Sequence, residues 1–393
     1  MSFWLDIVLG LVLLGYLVQG YRLGFVRSIG AIVGLIAGGI AAGLLAPFIG
    51  SLVQDDTGKV VATIVAAVVL VLLGHAIGSG IGAAIGGVLH RSPLGLLDRL
   101  LGAAASLIVC ALAISMIASL AVSLGVPFVA QPIASSVVLR VISAATPAPV
   151  DRALAQLRSS VLSSGIPQLG ISLGTGAGGD TSVPGVPQTA GLRSANASVV
   201  KITGRAPACS QEQSGSGFVV AGDRVLTNAH VVSGVTQPVV LVPNGQALSG
   251  RVTYFDPKHD LAVITVSGLK ASPLPVAPTA AVGTTGAIAG YPFGGPFTES
   301  GARIVQTGAV TVPDVTGSGR TARQIAAIAA DVEQGNSGGP LLTTNGRVIG
   351  IVFAKSTSQS DLGYAMTPDE FRGVVEQASS LTSPVSTGVC SLG

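Results

Sequence analysis

The sequence predicts two domains of opposite class: an all-α domain of four transmembrane helices at the N-terminus, then an all-β domain built as a pair of small barrels. Three observations carry this. Hydrophobic residues make up 49% of the 393 residues and charged ones only 10%, whereas ordinary globular domains carry about 25% charge. The long apolar runs all fall before residue 127. After residue 190 the chain breaks into short runs bounded by Gly, Pro and Asn, as the strands of a sandwich or barrel pair do. The same composition excludes several classes. Low charge with high hydrophobicity is the reverse of a disordered chain. A net charge of +3 is too small to point to nucleic acid. Three cysteines cannot make a disulfide scaffold or a zinc cluster, though they suffice for one bridge. The expected division is 1–126 membrane domain, 127–190 linker and 191–393 soluble domain.

The four apolar stretches are 3–19, 29–50, 60–89 and 101–126. About 20 apolar residues cross a hydrocarbon core, so each can span, the first being the shortest. That first stretch has no Lys or Arg before Arg22 and carries Asp6 instead, so the basic start of a cleaved signal peptide is missing. The third exceeds the span and is expected to tilt or break near its glycines. Orientation follows from the short loops. Arg22 and Arg27 mark the first, Arg91 and Arg99 the third, while the second holds Asp55, Asp56 and one Lys59. Basic loops stay cytoplasmic, which puts both termini and the whole soluble domain on the extracytoplasmic side.

Gly74, Gly78, Gly82 and Gly86 recur every four residues, and Gly34/Gly38 and Gly39/Gly43 share that spacing. Small residues in such rows let helices approach closely in lipid. Packing within the bundle is the first reading, self-association or a membrane partner the second. His75 and Asp6 lie in or near the spans and are candidates for a proton or ion role. These Gly- and Ala-rich helices resemble the colicin V production family of membrane domains, which implies an envelope-associated module.

In the linker, Pro147, Pro149, Pro167, Pro184 and Pro187 punctuate the chain, and Val150, Leu154, Leu157 and Val161 have the spacing of one short helical face. Residues 170–187 read as a flexible connection. Proteolysis concentrates in such segments, so if the soluble domain is a protease, this is where it is expected to cut itself or a neighbour.

The expected strands are 198–202, 216–220, 224–227, 239–242, 262–266, 286–289, 308–312, 325–329, 347–353 and 363–366. Three segments among them carry chemistry. The run 225–232 (VLTNAHVV) ends a strand on His230. The run 256–263 (DPKHDLAV) opens a strand with Asp260. The run 333–340 (EQGNSGGP) sets Ser337 in a glycine-rich loop. A serine hydroxyl needs a base within hydrogen-bond reach. Histidine is that base, and a buried carboxylate fixes its tautomer and steadies the imidazolium. The N–H groups of Gly335 and Ser337 can turn inward to hold a tetrahedral oxyanion. Each piece alone has a bland reading: a structural His, a turn Asp, a Gly-rich turn. Their order His, Asp, Ser is much harder to obtain by accident. His259 is a rival base, but strand alternation would face it away from Asp260.

With Gly215-Ser216-Gly217-Phe218, Thr227-Asn228-Ala229-His230, Asp260-Leu261-Ala262-Val263 and Gly335-Asn336-Ser337-Gly338-Gly339-Pro340, the last 200 residues resemble trypsin-like serine proteases, and within them the HtrA-type branch. The resemblance implies a chymotrypsin-like double β-barrel and a serine endopeptidase with His230, Asp260 and Ser337 catalytic and no metal or organic cofactor. It implies Asp331 at the floor of the primary pocket. It further implies Phe353, Ala354, Lys355, Gly363 and Tyr364 along a cleft where substrate adds as a strand. Asn336 stands where many relatives keep an Asp that pairs with a new N-terminus, which argues against that activation route. The residues after Tyr364 leave no room for a PDZ domain, and four helices replace the usual single anchor. The whole arrangement resembles the mycobacterial acid-resistance protease family. It implies a multi-pass protein of the cytoplasmic membrane that processes envelope or periplasmic proteins under acid and oxidative stress. A membrane scaffold or stress sensor using the fold for binding is the alternative. Cys110 lies in a span, and Cys209 and Cys390 are expected to pair outside it.

Overall fold

The computed structural model describes residues 2–51, 56–89, 95–123, 127–159, 166–170, 181–206 and 211–388. They divide into two compact units that meet at Ser115/Met116. Cys209, Cys390, Arg91 and Val161 lie outside the described residues.

The first unit is built on α1 (Ser2–Leu23), α2 (Phe25–Ser51), α3 (Asp56–Leu89) and α4 (Gly95–Ser123). The loop expected around Arg22 and Arg27 shrinks to Gly24 at φ +80°, with Arg22 in the last turn of α1 and Arg27 inside α2. Asp98, buried near the start of α4, accepts hydrogen bonds from the Phe25 and Val26 N–H groups at 3.1 Å each. It caps α2 from another helix, satisfying donors that every helix start leaves open. Gly30 and Gly34 of α2 face Gly82, Gly78 and Gly74 of α3 so closely that a methyl on any of them would strike the opposite backbone. The glycine rows are thus a seam within the chain. His75 is exposed. The outer faces expose Trp4, Leu11, Ile36, Ile40, Leu72, Ile77, Leu96 and Ile117. Two segments, Phe3–Leu23 and Gly95–Ser119, are long and apolar enough to cross a membrane, and Phe25–Ala41 and Leu72–Ile85 are shorter apolar helices.

Ten helices rather than four lie among the described residues. The additional ones begin where a linker was expected: α5 (Pro127–Ser135), α6 (Val137–Ala145) and α7 (Ala148–Ser159) precede β1 (Gln168–Leu169) and α8 (Ala190–Asn196). Ala130, Ile133 and Ala134 of α5 pack on Val239 and Ala247, so this segment belongs to the β unit. Residues 181–187, expected to be flexible, run against that unit too, with Pro184 lying on Gly301 where no Cβ intervenes.

The β unit opens with β2 (Val199–Ala206), β3 (Gln211–Ala221), β4 (Arg224–Thr227), a one-turn helix α9 (Ala229–Val232), β5 (Val239–Leu241), β6 (Ala247–Asp256) and β7 (Leu261–Val266). These strands close a barrel in the order β2-β3-β4-β7-β6-β5. Then come β8 (Thr285–Gly290), β9 (Thr298–Pro313), β10 (Arg320–Ala329), β11 (Pro340–Thr343), β12 (Val348–Ser356), β13 (Leu362–Met366) and α10 (Pro368–Gln377). They form a seven-stranded sheet, β1-β12-β11-β8-β9-β10-β13, in which β13 also pairs with β12. One closed barrel of six strands is therefore described where two had been expected.

Side-chain alternation explains why these strands read as continuous apolar runs. In β7, Ala262, Ile264 and Val266 fill the barrel, while Leu261 and Val263 face the second sheet. In β3, Val219 points inward and Phe218 outward. The outward set meets Ala287, Ile325, Ile351, Phe353 and Tyr364 in a shared core between the two halves. Both faces are buried, and a polar side chain among them finds a partner, as Thr265 does with Thr253 at 3.0 Å.

Candidate active site

Each of the three predicted catalytic residues leaves a different local structure. His230 sits in α9 directly after β4, where Asn228, extended at φ −78°, starts the helical turn. Asp260 closes the tight turn between β6 and β7 at φ +59°. That left-handed conformation is one Asp tolerates better than most side chains. Ser337 lies in the loop between β10 and β11.

The His230–Asp260 pair is formed. His230 Nδ1 lies 2.9 Å from Asp260 Oδ2 and 3.1 Å from Oδ1, and the His230 backbone N–H donates to Oδ1 at 2.9 Å. Both side chains are buried. The Asn228 side-chain amide donates to the Asp260 carbonyl at 2.9 Å, tying the strand end before the histidine to the aspartate turn. His259 is turned away, though not by strand alternation: it sits in the same turn and its Nδ1 lies 2.7 Å from Asp256 Oδ2. Burial alone would raise the Asp256 carboxyl, but the His259 side chain and the N–H groups of His259 and Lys258 hold it below its ordinary value.

The serine loop is bedded on the first barrel. The Ser216 N–H donates to the Ser337 carbonyl at 2.8 Å and the Gly338 N–H to the Val352 carbonyl at 2.8 Å. Gly338, at φ +80°, leaves no room for a Cβ, which would strike the Ser216 carbonyl and Thr227 Oγ1 and crowd the Asn228 amide. The serine is thereby held against the segment that carries His230. Ser337 Oγ and His230 Nε2 are both buried, and neither has a hydrogen-bond partner among the described residues. Buried polar atoms without partners are rare and point to a function, and catalytic hydrogen bonds are often long before substrate binds.

The peptide that carries the Gly335 N–H is gripped on both sides. The Gln334 carbonyl accepts from the Phe293 N–H. The Gly335 carbonyl accepts from Ser216 Oγ at 2.6 Å, and that same oxygen accepts from the Tyr291 N–H at 2.9 Å. Gly335 has φ +94°, and a Cβ there would fall 3.0 Å from the Phe293 nitrogen. Phe293 is itself left-handed at φ +55°, strain of a kind that collects at functional loops. The N–H groups of Gly335 and Ser337 donate to no acceptor among the described residues. Asn336 is used locally: its Oδ1 accepts from the Glu333 N–H at 2.8 Å.

The remaining predicted residues are more scattered. Asp331 is exposed just beyond β10. Phe353, Ala354 and Tyr364 are all buried, with Ala354 paired to Tyr364 in the β12–β13 ladder. Lys355 bridges Glu333 of the serine loop at 3.0 Å. Along the same edge runs the linker: β1 pairs parallel with Lys355–Ser356, and the Lys355 N–H donates to the Pro167 carbonyl at 3.0 Å. Arg323 was missed. It sits 3% exposed with Nη1 4.0 Å from Asp260 Oδ2. The sequence held a signal, because Arg323 shares strand parity with the buried Ile325 and Ala327. A lone cation on an apolar face needs a partner.

Comparison with known proteins agrees with this architecture. Residues 215–351 match the trypsin-like peptidase domain and residues 5–147 the colicin V production protein. The serine protease Rv3671c of Mycobacterium tuberculosis is 40% identical over 195 residues, 49% of this chain and 49% of that one. The putative serine protease HhoA of Synechocystis is 32% identical over 174 residues, 41% of each. The chain thus spans about half the length of the curated relatives it matches. A crystal structure of the Rv3671c protease in its active form superposes with a TM-score of 0.49 at 36% identity, covering 56% of this chain and 100% of that one. One stretch of the chain thus matches the colicin V production protein and another the trypsin-like peptidase domain, and about half of the chain is similar to a mycobacterial serine protease.

Proposed function

We propose that this chain is a membrane-anchored serine endopeptidase acting on envelope or periplasmic proteins outside the cytoplasm. One observation carries the reading: a buried His230–Asp260 pair and a buried Ser337 whose loop is bedded on the strand leading to His230, with Ser337 Oγ and His230 Nε2 both unpartnered among the described residues. In the proposed reaction, Ser337 Oγ attacks a peptide carbonyl as its proton passes to His230 Nε2. Asp260 holds Nδ1–H and stabilises the imidazolium. The Gly335 and Ser337 N–H groups receive the oxyanion. The C–N bond then breaks, His230 protonates the leaving amine, and water hydrolyses the acyl-enzyme by the same proton path. No metal or organic cofactor enters these steps.

Substrate is proposed to lie along β12, with Phe353, Ala354 and Tyr364 lining the cleft and Asp331 at the floor of the primary pocket. The linker strand β1 on the same edge favours self-cleavage in or near residues 170–187. The closed barrel is taken with the β12–β13 pairing as a double β-barrel. Helices α1–α4 are taken as four spans in the lipid bilayer, with both termini extracytoplasmic and the glycine seam chiefly intramolecular. A Cys209–Cys390 bridge, and a role in acid and oxidative stress, complete the proposal. Incubation of the full-length chain with an unfolded protein, beside Ser337→Ala, is the test. Serine-dependent fragments with new N-termini are expected. Equal binding of the unfolded protein by both chains, with no fragments, would favour the scaffold reading.

A further inference from the structure

Arg323 is the side chain near the proposed dyad that the peptidase chemistry leaves unexplained. It rises from β10 of the second sheet and reaches the aspartate turn of the first barrel. Its Nε and Nη2 donate to the Lys258 carbonyl at 3.1 and 2.8 Å, and Nη2 also reaches the Pro313 carbonyl at 3.2 Å. Its guanidinium lies 5.8 Å above the Phe353 ring and 4.0 Å from Asp260 Oδ2, the same oxygen that lies 2.9 Å from His230 Nδ1. It is 3% exposed, so solvent screens it little.

We propose that Arg323 is a positioning residue for the reaction read above: it fixes the Asp260 turn from the second sheet and sets how far into acid the His230–Asp260 dyad stays competent. The physics is one of competition for a single carboxylate. Asp260 favours the imidazolium of His230, and a buried cation against Asp260 weakens that pull. The dyad therefore takes up a proton at lower pH with Arg323 than without it. Other charges face the guanidinium from every packed element: Asp256 with its partner His259 at the end of β6, Asp314 after β9, and Glu370 on α10. Burial pulls the guanidinium below its ordinary value while these carboxylates and Asp260 push it back up. Among the described residues none of these four other groups forms a hydrogen bond or ion pair with Asp260, whereas Arg323 lies 4.0 Å from it.

The inference rests on the peptidase reading, and one experiment separates their failures. The rate of fluorophosphonate labelling at Ser337 is measured across pH for the purified full-length chain and for Arg323→Met, Arg323→Gln and Arg323→Lys, with thermal melts reporting folding. A unit charge at this distance, little screened by solvent, acts by roughly one pH unit or more. Arg323→Met and Arg323→Gln are therefore expected to move the acid limb about one unit upward. At a pH on that limb, labelling relative to the plateau falls about tenfold. Arg323→Lys restores most of the shift. A folded Met or Gln variant whose rate drops equally at every pH, or whose limb stays in place, overturns the proposal and leaves a structural strut. Failure of both to fold overturns it equally. No Ser337-dependent labelling of the wild-type chain would instead remove the peptidase reading itself.

Discussion

Ser216→Ala tests how the proposed oxyanion loop is held. Ser216 Oγ sits between the Gly335 carbonyl at 2.6 Å and the Tyr291 N–H at 2.9 Å, and Ser216 is 0% exposed. Deleting one oxygen leaves a void smaller than a methylene, worth under about 1 kcal/mol. The orphaned carbonyl and N–H cost more, about 1–3 kcal/mol each when no water replaces the hydroxyl. The polar loss dominates, and the sum is about 2–7 kcal/mol. For a unit of this size that is a fall of at least about 4 °C in melting temperature. The freed Gly335 carbonyl also loosens the neighbouring peptide whose N–H is the proposed oxyanion donor. Since one such donor is worth about 100-fold or more in rate elsewhere, acylation of Ser337 should slow by roughly 10- to 100-fold. Urea unfolding and fluorophosphonate labelling read the two effects. A stability change below about 0.5 kcal/mol with labelling within twofold of wild type would refute the claim that Ser216 holds this loop.

Other outcomes follow from the same geometry. Gly338→Ala forces a side chain into a left-handed position facing the Ser216 carbonyl and Thr227; it should cost more than the roughly 1 kcal/mol of the backbone conformation alone, and a melt within 2 °C of wild type would contradict the tight bedding of the serine loop. Asp256 has a carboxyl held lower in the folded chain than its ordinary value. Its pair with His259 therefore stabilises above the ordinary carboxylate range and is lost as pH falls through the lowered folded value. Asp256→Asn should lower the melting temperature at pH 7, with the difference shrinking as pH falls below the ordinary carboxylate range; a difference that does not shrink in acid would sink this. Leu169→Pro, which strips β1 from the β12 edge, should raise turnover of an unfolded protein substrate. Unchanged turnover would show that the linker does not compete for that edge.

Much of this was legible in the sequence for identifiable reasons. Strand β4 was expected at its observed bounds, because Arg224–Thr227 lies between a Gly-Asp turn and the His230 segment. Strand β6 was not, because Ser249, Gly250 and Arg251 interrupt its apolar pattern. Nor was β11, four residues opening on Pro340 straight after the serine loop. Helix α5 was read as linker since its small residues become an apolar face only against Val239 and Ala247, contacts more than a hundred residues away. His230 and Asp260 announced themselves because chemistry restricts residue type and order. Arg323 did not, since its meaning depends on which turn the second sheet presses against. The glycine rows were legible as a packing seam, but Asp98 capping another helix was not, because that cap is made across 73 residues.

The most direct test of the account is peptide mapping of the full-length chain after reaction with a fluorophosphonate. The account predicts one covalent adduct on Ser337, abolished in His230→Ala and Asp260→Asn chains that keep the wild-type melting temperature. An unmodified Ser337 in the folded wild-type chain, or an adduct formed equally well without His230, would contradict it.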